Sequence, residues 1–180
     1  MRIFFDSEFT GLHQKTTLIS IGFVAENGHT FYAEFTDYDK SQVDDWIQAN
    51  VINNLFITDW YTEECYNPYE KHVIFKGDVA SNELALSHWL KGFEEKIEIW
   101  SDCLAYNWVL FNQLYGGALK IPEFIHYIPF DICTLFKIKG IDPDINREEF
   151  ADFKENSKKH NALWDAKVIK GCYEKLIKID

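Results

Sequence analysis

Short apolar runs open this chain, and helical stripes follow them. Ile3-Phe4-Phe5 opens an apolar segment that runs into Asp6-Ser7-Glu8-Phe9. Residues 2–6, 17–25 and 29–36 read as strands. Glu26-Asn27-Gly28 is the hairpin signal between the last two. Ser41–Asn50 reads as a helix, residues 51–80 as an irregular covering segment with a turn at Asn67-Pro68, and Ser81–Glu95 as a helix with Leu84, Trp89, Leu90 and Phe93 inward. His88 in that helix reads as structural. Residues 97–101 follow as a strand parallel to the first, and Tyr106–Tyr115 as a helix stopped by Gly116-Gly117. Tyr127–Asp131 leads into a short helix ending near Lys137. After a loop at Asp142-Pro143-Asp144, helical periodicity occupies Asn161–Lys178. The sum is an α/β domain over 1–180, with a central five-stranded mixed sheet flanked by helices.

Three polar placements conflict with this pattern. Strand side chains alternate faces, so Asp6 and Glu8 point the same way. Two neighbouring carboxylates repel, which raises one pKa unless a cation lies between them. A polar strand exit is the plainer alternative. In the last helix, Ala162, Ile169, Cys172 and Leu176 share one side, and Asp165 sits at its centre. An unpaired charge there is costly, so Asp165 requires Arg, Lys or a metal. Asn107 is the third case. It lies at i, i+3, i+4, i+7 with Leu110, Phe111 and Leu114, facing inward. A capping or core amide is its ordinary role, and Asp102 offers a nearby carboxylate.

His160 precedes Asp165 by five residues, about 140° off-face on a regular helix. The two share a site only if His160 lies in a loop, and Asn156-Ser157-Lys158-Lys159 reads as that loop. A loop His beside a metal carboxylate suits a general base acting on water. A solvated loop His is the alternative.

Composition narrows the class. The 180 residues are 47% hydrophobic and 17% aromatic, which argues against disorder and is enough for one domain with a full core. Nothing resembles a signal peptide, and the charge-free run Cys103–Leu119 is too polar for a membrane span, so a cytoplasmic protein is expected. Cys65, Cys103, Cys133 and Cys172 lack Cys-x-x-Cys spacing and read as small core residues in a reducing cytoplasm rather than disulfides or zinc ligands. A net charge of −11 argues against tight binding along a duplex but permits a grip on a few terminal nucleotides. Aromatic stacking adds roughly 1–3 kcal/mol per base without charge. Phe9 and Leu12 are the candidates to touch a terminal base; ordinary core packing is their alternative.

Asp6-x-Glu8, a polar residue early in a central helix, and His160 five residues before Asp165, taken in order, resemble the DEDDh 3′–5′ exonucleases of the RNase H-like superfamily. The wording FFDSEFTGL, IEIWSDCLAYNWVLFNQLYGG and KKHNALWDAKV is similar to the small stand-alone exoribonucleases of that group. The resemblance implies an RNase H-like fold, two Mg²⁺ or Mn²⁺ ions held by Asp6, Glu8, residue 107 and Asp165, and His160 as general base. It implies release of nucleoside 5′-monophosphates from a single-stranded RNA 3′ end, with DNA as the alternative substrate, and a homodimer. One residue departs from the pattern: the second-motif acid is Asn107, within Tyr106-Asn107-Trp108. An amide can hold a metal-bound water or coordinate through oxygen but adds no charge. A weakened or inactive relative that binds RNA 3′ ends, or compensation by Asp102, are the rival expectations.

Overall fold

The computed structural model describes residues 1–57, 71–153 and 158–179. The turn at Asn67-Pro68, Cys65 and the start of the loop at Asn156-Ser157 lie outside them. Among the described residues six strands form one mixed sheet: β1 (Arg2–Phe9), β2 (Leu18–Ala25), β3 (Thr30–Phe35), β4 (His72–Gly77), β5 (Glu98–Ser101) and β6 (Phe130–Asp131). Their order is β4-β3-β2-β1-β5-β6. β1–β2 and β2–β3 are antiparallel, whereas β3–β4, β1–β5 and β5–β6 are parallel. The helices are α1 (Asp45–Asn50), α2 (Val79–Lys91), α3 (Ala105–Leu114), α4 (Ile132–Ile138), α5 (Arg147–Phe150) and α6 (Ala162–Leu176).

The sheet therefore has six strands rather than five. The expected irregular stretch 51–80 contains β4, which pairs parallel to β3 from Thr30–His72 to Phe35–Gly77. Only Val73, Phe75 and Gly77 of β4 are buried, and apolar Ile74 on the outward side blurs the alternation. β1 also runs past residue 6 to Phe9, which puts Asp6 and Glu8 inside the strand rather than at its exit. α2 starts before Ser81, because Asp78 caps it by accepting from Ser81 N at 2.8 Å. Leu84 is exposed on α2, and Ala85, Leu86, Trp89 and Leu90 form its inner face.

The two faces of β1 enter different cores. Ile3 and Phe5 pack with Phe23, Phe31, Trp89, Leu110 and Phe111, beneath α2 and α3. Phe4 packs on the opposite face with Phe136 of α4 and with Ile169, Cys172 and Leu176 of α6. Side-chain alternation then puts Asp6 and Glu8 on the α6 side. α6 reaches that side because β2 carries Gly22 there. A Cβ at Gly22 would lie 2.3 Å from Leu163 N and 2.4 Å from Ala162 C. Asp6 is the register partner of Gly22. The close approach at Gly22 thus brings the first turn of α6 beside Asp6.

Candidate active site

Asp6 and Glu8 of β1 and Asp165 of α6 point into one cleft. Each offers a carboxylate oxygen within 4.8 Å of the others, and all three side chains are half-buried. Burial raises the pKa of each, and repulsion adds to it: Asp6 acts on Glu8 and Asp165, Asp165 acts on Glu8, and Asp102 acts on Asp6. For Asp6 burial again leads, opposed by the hydrogen bond from Asn107. Three carboxylates held in this way are the donor set a hard divalent cation takes. The site fits such an ion by its chemistry as well as its spacing.

The loop before α6 is built to hold Asp165. Asn161 caps α6, accepting from Trp164 N at 3.2 Å, and donates through Nδ2 to Asn54 O at 3.0 Å. Asn54 Nδ2 donates to Lys159 O at 3.2 Å, so the 3-10 turn at Ile52–Asn54 clamps the loop from outside. His160 takes φ +62°. In this left-handed turn its N–H donates to Asp165 Oδ2 at 2.9 Å. The five-residue spacing is thereby resolved: His160 is in the loop and Asp165 in the first turn. The imidazole lines the cleft and meets the Trp46 ring edge-on at 4.9 Å between centroids. Burial, then Lys159, lowers its pKa, so the ring is neutral at pH 7 and able to accept a proton.

Asn107 occupies the other wall. β5 pairs only with Arg2–Phe4 of β1, so Asp6 and Ser7 face the start of α3 beyond the end of β5. Asn107 is 6% exposed. Its Nδ2 donates to Asp6 Oδ1 at 2.9 Å, to Ser101 Oγ at 3.0 Å and to the Asp102 carbonyl at 3.3 Å. Its Oδ1 accepts from Ser7 Oγ at 2.6 Å. The amide oxygen is turned toward Ser7, away from the acids. Asp102 does not join them either. Its carboxylate forms a two-pronged pair with Arg147, at 2.8 Å to Nε and 3.2 Å to Nη2, and accepts from Cys133 Sγ at 2.9 Å.

The cleft, about 410 Å³, is also lined by Phe9, Leu12, Tyr106, Glu148 and Lys159. Phe9 stacks on Tyr106 at 5.6 Å and packs against the core, whereas Leu12 is 76% exposed at the rim. Nothing in the sequence around Glu148 marks it as a cleft residue. It stands on the four-residue α5, binds Trp164 Nε1 at 2.8 Å, and pushes the Asp165 pKa up through its charge.

Residues 1–177 match the model of a family described as the 3′-5′ exoribonuclease Rv2179c-like domain. The chain belongs to this family. It is 27% identical over 141 residues to the 3′-5′ exoribonuclease Rv2179c of Mycobacterium tuberculosis H37Rv, covering 78% of this chain and 76% of the relative. The 3′-5′ exoribonuclease MT2234.1 of strain CDC 1551 is similar to the same extent. For an Rv2179c-like domain, the cleft between β1, α3 and α6 is the candidate active site. Among the described residues no helix is long and apolar enough to cross a membrane.

Proposed function

We propose that this protein is a metal-dependent 3′–5′ exoribonuclease of the DEDDh type on an RNase H-like fold. The observation that carries this reading is the meeting of Asp6, Glu8 and Asp165 within 4.8 Å, with His160 tied to Asp165 through its backbone. The family supports RNA as the substrate class.

Asp6, Glu8 and Asp165 would hold two Mg²⁺ or Mn²⁺ ions, whose charge stabilises a phosphodiester under attack by water. The residues of the chain do the rest. His160, neutral at pH 7, accepts a proton from the attacking water at a ring nitrogen. Water adds to phosphorus, the bond to the 3′ oxygen of the preceding nucleotide breaks, that oxygen takes a proton from solvent to become the new 3′ hydroxyl, and a nucleoside 5′-monophosphate leaves. The Phe9–Tyr106 stack and the exposed Leu12 offer an apolar seat for the terminal base without requiring basic residues.

Asn107 supports a second reading, in which the chain is a weakened nuclease that holds RNA 3′ ends. Its nitrogen, not its oxygen, faces Asp6, and Asp102 is committed to Arg147. The site is one negative charge short on this wall.

The deciding experiment uses single strands of RNA and DNA labelled at the 3′ nucleotide, with and without Mn²⁺. Exonuclease action releases labelled mononucleotide from RNA at the earliest times and only with the cation. Intact RNA retained by the protein would favour the binding reading. Release without any cation, or internal cleavage, would overturn both.

A further inference from the structure

The cleft wall beyond Asn107 contains two thiols. Cys103 lies in the loop between β5 and α3, is exposed and lines the cleft. Its φ of +46° is in the left-handed region, which L-residues with a Cβ seldom adopt. Cys133 reaches it from α4, with 3.9 Å between the sulfurs. A disulfide requires about 2.05 Å, so closure needs about 1.9 Å of further approach. Cys103, Cys133 and Asp102 could together bind a soft metal, since their ligand atoms lie within 4.8 Å. The Arg147 guanidinium opposes this, standing 3.3 Å from Cys133 Sγ and paired with both Asp102 oxygens. A cation would have to displace that charge, whereas a disulfide adds none.

We propose that Cys103 and Cys133 are a redox pair that closes to a reversible disulfide under peroxide and tethers the β5–α3 loop to α4. The exposed Cys103 sulfur attacks hydrogen peroxide. The O–O bond breaks, Cys103 becomes a sulfenic acid, and one water leaves. Cys133 sulfur then attacks that sulfur, the S–O bond breaks, and the hydroxyl leaves as a second water with the Cys133 proton. Two thiols are oxidised and one peroxide is reduced to two waters. Burial, and then Asp102, keep both thiols protonated at rest, with Cys133 pushed up to about 12. Oxidation is therefore a response to sustained peroxide rather than a resting state.

The loop that closes is the one whose Asp102 carbonyl accepts from Asn107 Nδ2. Crosslinking thus stiffens the wall that positions Asn107 against Asp6. The test is independent of the proposed nuclease activity. Purified full-length protein is treated with hydrogen peroxide, its remaining thiols are alkylated, and it is mapped without reduction. The expected result is one peptide pair joining Cys103 to Cys133, absent in Cys103→Ser and in Cys133→Ser and reversed by dithiothreitol. Amide hydrogen exchange of residues 102–107 should slow by about tenfold or more in the oxidised form and recover on reduction. Links made only by Cys65 or Cys172, or stable over-oxidation without a link, would overturn the pair. A Cys103–Cys133 link with unchanged exchange would overturn the tether.

Discussion

Leu163 lies on Gly22 so closely that its backbone nitrogen would be 2.3 Å from any Cβ there. Because Gly22 is opposite Asp6 in the β1–β2 register, this contact fixes how near α6 comes to the acids. Backbone cannot yield as a flexible side chain can. Gly22→Ala is expected to destabilise the fold by about 1–3 kcal/mol or more, as overpacking does. It should also weaken divalent-cation binding by moving Asp165. Urea unfolding with a Mn²⁺ titration checks both. Unchanged stability would show that α6 is free to shift.

The acids give the fold a pH dependence with a definite sign. Asp6, Glu8 and Asp165 all have pKa values raised by burial above those of the unfolded chain. A raised folded-state pKa contributes stability below the unfolded value, about 4, that is lost as pH rises through the folded value. Metal-free protein should therefore lose melting temperature steadily from weakly acidic to weakly alkaline pH. The stabilisation by Mn²⁺ should grow over the same range, since the ion binds the ionised acids. Thermal melts in chelator and in Mn²⁺ across that range measure both. A metal-free melting temperature that rises with pH would contradict the burial argument.

His160→Ala separates base from ligand. If the imidazole takes the proton from water, kcat should fall by about 10²- to 10⁴-fold with little change in KM. The contact with Asp165 is made by the His160 backbone, so Mn²⁺ affinity should persist. Steady-state kinetics on a short RNA, beside a cation titration, are the check. Unchanged kcat would remove His160 from the chemistry.

Much of this site was legible because its residues broke patterns visible in the chain. Asp6 and Glu8 share a strand face, Asp165 interrupts an apolar stripe, and Asn107 faces inward on α3, as periodicity predicts. Glu148 and Arg147 were not legible. They sit on a single helical turn after Asp142-Pro143-Asp144, and nothing local ties them to β1 or β5. β4 gives a weak signal because Val73-Ile74-Phe75 is a three-residue apolar run with no polar alternation, and its parallel partner lies far back in sequence. Leu84 has the spacing of an inward residue, yet α2 turns that side to solvent. Cys103 read as a core residue, but its loop conformation, which neighbouring residue types do not reveal, exposes it. The role open to Asp102 depended on Arg147, which only the tertiary structure places beside it.

We propose that Asp6, Glu8 and Asp165 form one cation site that Asn107 leaves a charge short. Calorimetric titration of Mn²⁺ into this protein, Asp165→Asn and Asn107→Asp tests it most directly. Asn107→Asp is expected to bind tightest and Asp165→Asn weakest, with steps of about tenfold or more, roughly 1.4 kcal/mol each. Equal affinity in all three proteins, or no binding by any, would contradict the shared site.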